Sequence, residues 1–135
     1  MTGPTLDTLA LAATGEVVLT GDGSLIAVPS GQPVSLLDVI WNEMGPHGLT
    51  MRFRFVAPEI AKVGGGVDFE SAVADMQALC EGFALPRIAD LGPQPAQIVI
   101  SLSDRPVPFG EAAPEVTQFF EAFSVDGNTC NWEMF

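Results

Sequence analysis

The stretch Leu49 to Val56 (LTMRFRFV) limits the possible folds more than any other part of the chain. Leu49, Met51, Phe53 and Phe55 alternate with Thr50, Arg52 and Arg54. Successive side chains on a strand point to opposite faces, so this alternation describes a strand with one buried and one wet face. A helix would scatter the same residues around its axis. The chain must therefore supply neighbouring strands and an apolar cover for the Met51–Phe53–Phe55 side.

The rest of the sequence offers both. Glu16 to Thr20 reads as a strand, Gly21-Asp22-Gly23 as a turn, and Ser24 to Val28 as a returning strand, together a hairpin. Two prolines and a glycine make Pro29 to Pro33 a loop. Val34 to Asn42 is rich in β-branched and aromatic residues and reads as a strand, closed by the Gly45-Pro46-His47-Gly48 turn. Ala57 to Val63 carries no decisive pattern. Gly64-Gly65-Gly66 is a joint, and Asp68 is placed to cap a helix. Within that helix Phe69, Val73, Met76, Cys80 and Phe83 form one apolar stripe, with Glu70, Asp75, Gln77 and Glu81 largely off it. Leu85-Pro86 is expected to end it. Gln97 to Ser103 (QIVISLS) reads as a central strand. Thr117 to Val125 and Thr129 to Phe135 flank Asp126-Gly127-Asn128, a hairpin signal. In the last of these strands Cys130, Trp132 and Met134 share a face.

These elements predict an α+β fold: an antiparallel or mixed sheet of about five to seven strands with one main helix, residues 68–83, across one face. A chain of 135 residues fits one domain, here 16–135, preceded by a loosely organised segment, 1–15. With 47% hydrophobic and 16% charged residues the chain can build a core, and disorder throughout is excluded. Lys and Arg number 5 against 17 Asp and Glu, a net charge of −12. That balance argues against nucleic acid as a partner, because binding the phosphate backbone needs a basic face. No apolar run approaches the ~20 residues of a membrane span.

Catalytic and cofactor motifs are sparse. His47 is the single histidine and sits in a turn, without a GxSxG elbow beside it. The glycines before Asp68 lack the GxGxxG spacing, and Asp68 would set a negative charge where a phosphate belongs, so no cofactor is expected. No DxDxDG loop occurs, and one His with two distant Cys is a poor metal set, so no metal is expected either. The candidates for binding are cations and a loop. Arg52 and Arg54 lie on the wet face of their strand, where they suit an anion or carboxylate of a partner, or cross-strand pairing with acidic neighbours. Asp104 to Gly110 (DRPVPFG) presents Arg105 and Phe109 on a rigid Pro-x-Pro loop, which suits recognition or simple cover over a sheet.

Cys80 and Cys130 are too far apart for a CxxC motif. They are either one disulfide in an exported protein or two buried thiols in a cytosolic one. Cys80 faces inward from the helix and Cys130 lies on one face of the last strand, so packing of helix on sheet would let the sulfurs meet. A bond would require a Cα separation of roughly 4.4–6.8 Å. The N-terminus does not decide between the two. Met1 to Pro4 has no Lys or Arg, and Leu6 to Ala13 is apolar but short and holds Asp7, so it reads as a signal remnant or a surface helix.

The run QIVISLSDRPVPFGEAAPEVTQFFEAFSVDGNTCNWEMF, with LPRIADLGPQPAQIVISL and MRFRFVAPEI upstream, resembles a family of small exported proteins of the Rhodobacterales whose function is unknown. The resemblance spans roughly Val28 to Phe135. It implies a disulfide between Cys80 and Cys130 and a periplasmic setting, and it transfers no activity. The leading expectation is a non-enzymatic periplasmic accessory or protein-binding module. The alternatives are a small subunit of a larger assembly, docked through a sheet edge or the Val34–Trp41 region, and a small hydrolase that uses acidic residues and His47.

Overall fold

Strand pairing is organised around the alternating segment. The structure, a computed structural model, describes residues 16–45, 48–61, 64–92, 94–109 and 111–133. His47, Gly110, Met134 and the segment 1–15 lie outside the described residues. The strands are β1 (Glu16–Thr20), β2 (Ser35–Gly45), β3 (Gly48–Val56), β4 (Gln97–Ser103), β5 (Gln118–Asp126) and β6 (Thr129–Glu133). They form one sheet whose spatial order equals the chain order, β1 to β6. All neighbours are antiparallel except β3 and β4, which run parallel. A parallel pair needs a crossover, and the helical segment between β3 and β4 supplies it. The fold is α+β with a mixed sheet and one main helix.

The hairpin expected between residues 16–20 and 24–28 does not form. β1 pairs with β2 instead, Thr20 opposite Asp38 and Glu16 opposite Trp41. The turn at Asp22, whose Oδ1 accepts from the Ser24 N–H at 2.9 Å, opens into a long connection rather than a ladder. Leu25 makes only an isolated bridge to Ser35. Pro29 has no N–H to extend a strand over 24–28, whereas β2 runs for 11 residues and offers a full edge. Gly21 allows the switch. Its N–H donates to Leu37 O at 3.0 Å, and a Cβ there would sit 1.7 Å from Leu36 O.

The crossover begins with a short 3-10 turn, Pro58–Ile60, and continues as α1 (Phe69–Leu79), a π-helical turn (Cys80–Ala84) and α2 (Leu85–Leu91). Asp68 caps α1 as expected, accepting from the Ser71 N–H at 2.9 Å. The helix runs on past Pro86, where the sequence predicted its end. Proline has no N–H and its ring crowds the carbonyl four residues back, here Gly82. The wider π turn, closed by the Leu85 N–H on Cys80 O, makes room for that ring. The true stop is at Gly92, with φ 149°, where a Cβ would lie 2.6 Å from the Trp41 ring. Trp41 Nε1 donates to Leu91 O at 2.8 Å and satisfies a terminal carbonyl.

The core lies between helix and sheet. Met51, Phe53, Phe55, Ile98, Ile100, Leu102 and Phe123 meet Ala72, Met76, Leu79, Ala84 and Ile88, all buried. Phe83 packs edge-on against Phe53 and Phe55, with centroids 6.3 and 5.6 Å apart. Cys80 and Cys130 form a disulfide with a Cα separation of 6.2 Å, inside the required range. Side chains of the helix also secure the outer strand. Gln77 Nε2 donates to Cys130 O at 2.8 Å, and Glu81 Oε2 accepts from the Cys130 N–H at 3.1 Å. These bonds occupy backbone groups on β6 that an edge strand leaves open to another chain.

Asp75 departs from the sequence reading. It was expected off the buried stripe, yet it is fully buried. Its carboxylate accepts from Ser30 N at 2.9 Å, Ser30 Oγ at 2.6 Å and Gln32 Nε2 at 2.7 Å. The Pro29–Pro33 loop folds over this flank of the helix, so a buried carboxylate tethers it. Such burial is tolerated because the oxygens are supplied with donors.

Candidate functional site

The opposite face of the sheet is built differently. The register sets Asp38 opposite Arg54 and Ile40 opposite Arg52 on β2 and β3, and Arg52 opposite Val99 and Arg54 opposite Ser101 on β3 and β4. Thr50, Gln97, Val99, Ser101, Ser103 and Ala122 are buried on this side. The sequence predicted a wet face. The structure instead lays the proline-rich loop between β4 and β5 over it as a strap, with Val107 buried and Phe109 half-buried.

Arg54 ties the strap down. Its Nε and Nη2 donate to Asp38 Oδ1 and Oδ2, both at 2.7 Å, and its Nη1 donates to Val107 O at 2.8 Å. The pair is nearly closed to solvent, with side chains 13% and 15% exposed. A two-pronged guanidinium–carboxylate contact of this kind fixes orientation as well as charge. Asp38 was not singled out from the sequence. Its signal was its place on a strand one residue from the apolar Val39, which only the β2–β3 register converts into a position opposite Arg54.

Arg52 has no such partner. Among the described residues it makes no ion pair, and its Nε is buried without a hydrogen-bond partner. The guanidinium carbons of Arg52 and Arg54 lie 5.8 and 5.4 Å from the centre of the Phe109 ring, within reach of a cation–π attraction. Burial, and then the like charge of Arg54, disfavour the charged form of Arg52. Arg52, Arg54 and Phe109 therefore form one cluster, as their sequence patterns allowed but did not show.

Arg105 stands apart from it. Its Nε donates to Asp104 Oδ1 at 2.7 Å, and its side chain is largely exposed. Asp104 Oδ2 also accepts from the Thr117 N–H at 3.1 Å, so this pair anchors the two ends of the strap. The hydrogen bond from Arg105, joined by that from the Thr117 N–H, holds the Asp104 carboxyl below its usual range, against burial, which raises it. In the Val34–Trp41 region considered for docking, Val34, Val39 and Ile40 are buried, while Leu36, Leu37 and Trp41 are partly exposed. Among the described residues no group of His, Cys, Asp and Glu could hold a metal ion.

A family model matches residues 7–135, nearly the whole chain. The chain belongs to DUF6497, a family of unknown function. Neither the curated proteins nor the solved structures yield a match. The match covers the strap, the Arg52 cluster and both cysteines, so these are features within the family domain rather than appendages to it. No described helix is long and apolar enough to cross a membrane.

Proposed function

We propose that this DUF6497 protein is an exported, non-enzymatic binding module in which Arg52 receives a carboxylate of a partner protein. The observation that carries the reading is the Arg52 guanidinium, whose Nε is buried without a hydrogen-bond partner among the described residues, in a chain with 17 acidic residues. Leaving a sequestered charge uncompensated costs several kcal/mol in general, about 3–5 for a fully buried pair broken on one side. A carboxylate from a partner would supply the acceptor that Arg52 Nε lacks among the described residues. The fork of a guanidinium suits a planar carboxylate, and Phe109 bounds the place where it would sit. The remaining acidic surface favours a partner of net positive charge and speeds its approach.

Export is supported by the disulfide, which persists in an oxidising compartment. The resemblance to exported Rhodobacterales proteins points to the periplasm. A hydrolase would need a carboxyl held above its usual range beside a second polar group. The carboxyls of Asp22, Asp68 and Asp104 lie the other way, each held below the usual range by local hydrogen bonds.

The test is capture of periplasmic proteins from the native host by wild-type protein, Arg52→Glu, Phe109→Ala and Arg105→Ala, with folding checked by circular dichroism. Partner capture is expected to fall in the first two variants and persist in Arg105→Ala. Undiminished capture by both Arg52→Glu and Phe109→Ala would overturn the assignment.

A further inference from the structure

A second acidic or basic side chain without an ion-pair partner among the described residues lies on the helix-covered face. Glu121 sits on the same face of β5 as Phe119 and Phe123, since these three pair with Ile100, Leu102 and Ile98 of the core. Glu121 is only 8% exposed. Among the described residues no cation pairs with it, and its one side-chain hydrogen bond comes from Trp132 Nε1. A carboxylate offers about four acceptor positions, so an indole N–H leaves most of its capacity unused.

What surrounds it is aromatic and open. Trp132, opposite Phe123 on β6, is 55% exposed, and Phe69 at the start of α1 is 49% exposed. Phe69 packs edge-on against Phe119 with centroids 5.0 Å apart. Trp132, Glu121, Phe119 and Phe69 thus run along the margin where α1 leaves the outer strands uncovered. Large aromatics exposed at a margin are costly to leave in water. Aromatic faces beside a carboxylate attract one ligand class above others, an organic cation. The ring quadrupoles act on its charge, its alkyl groups bury against the rings, and the carboxylate supplies the counter-charge.

We propose that Trp132, Phe69, Phe119 and Glu121 form a binding site for an alkylammonium ion. The proposal is independent of Arg52, which lies on the other face of the sheet. The charge of −12 on the chain raises the local concentration of cations around it.

Fluorescence titration tests the proposal directly. Trp41→Phe leaves Trp132 as the only tryptophan. Choline chloride is titrated against this protein beside a matched sodium chloride series, and N-acetyl-lysine methylamide is run as a second arm. The expected result is a saturable change in Trp132 emission with choline that sodium chloride does not reproduce. Binding should weaken at least tenfold in Glu121→Gln and in Phe69→Ala. Phe69 is half-exposed in the first turn of α1, so that variant serves if Glu121→Gln fails to fold. A response to choline alone assigns the site to quaternary ammonium ions, and a response to both arms assigns it to alkylammonium ions generally. No change beyond the sodium chloride series, or equal affinity in the folded variants, overturns the proposal.

Discussion

The two faces of the sheet are covered by different means. On one, a helix of three segments closes an apolar core, is tied to β6 by a disulfide, and reaches over β6 with Gln77 and Glu81. On the other, a proline strap crosses a polar face and is held by a few charge-assisted bonds through Arg54 and Asp104. The first face gains stability from area removed from water, which is non-directional and tolerant of detail. The second depends on a small number of directed contacts, and it leaves Arg52 without a counter-ion among the described residues. Apolar burial is concentrated on the helix face, and the strap face holds Arg52 against the Phe109 ring with no ion pair among the described residues.

Perturbations of the two faces should differ accordingly. The largest effect is expected from the disulfide. Its cysteines are 50 residues apart, and a loop of that size corresponds to about 4 kcal/mol in the chain-entropy account. The Cys80→Ser, Cys130→Ser double variant should lose about that much in denaturant unfolding. A loss under about 1 kcal/mol would show that core packing alone holds helix to sheet.

Next is the anchor of the strap. Asp38→Ala removes both oxygens that Arg54 engages and leaves a nearly buried guanidinium unpaired. A cost of about 3 kcal/mol follows, with faster amide exchange along residues 104–117 than in α1. Equal exchange in the two segments would mean that the strap does not depend on Arg54.

Acid should produce a smaller effect that touches both faces. Asp104 of the strap and Asp68 of the helix cap have carboxyl pKa values held below the ordinary aspartate value of 3.8. Groups depressed in the native state contribute stability that is fully present above their unfolded value and is lost as the pH falls through the native one. The contribution of these two should therefore be constant from neutrality to about pH 4 and decline below it. Arg105 is the leading cause for Asp104, so Arg105→Ala should move the titration of Asp104 upward toward 3.8 when followed by carboxyl NMR. An unmoved Asp104 would assign its depression to the Thr117 N–H instead.

Legibility from sequence followed the same division. The helix face was readable because periodicity encodes it: the Met51–Phe53–Phe55 alternation, the stripe at Met76 and Cys80, and β4 at Gln97–Ser103 stand where their patterns set them, whereas Phe69 at the head of the stripe is half-exposed and Val73 and Phe83 are partly buried. Partner choice was less readable. Nothing local to Glu16–Val28 says that β1 will pair forward with β2, because β pairing is decided by which edge is free and long enough. The π turn at Cys80–Ala84 was hidden because proline is normally a stop signal, and a one-residue widening leaves no composition of its own. Asp75 looked like surface because its donors, Ser30 and Gln32, come from a loop over forty residues away. The Arg52 cluster was half visible. Alternation placed both arginines on one face, and prolines marked the loop, but which arginine would find a carboxylate depended on Asp38 and the β2–β3 register. Alternation placed Trp132 on the face of Cys130 but did not show that it would be exposed, and Glu121 carried no signal, since a lone Glu among aromatics in a strand is common.

The most direct test of this account is the equilibrium stability of Arg52→Met beside Arg54→Met, measured by denaturant unfolding at neutral pH. Methionine keeps the apolar stem and removes the charge. If Arg52 is an uncompensated cation kept for a partner, Arg52→Met should match or exceed the wild-type stability, as replacements of buried charges by apolar groups often do. Arg54→Met should lose about 3 kcal/mol by stranding Asp38. A loss at Arg52 equal to the loss at Arg54 would contradict the account, because it would make Arg52 a structural residue like its neighbour.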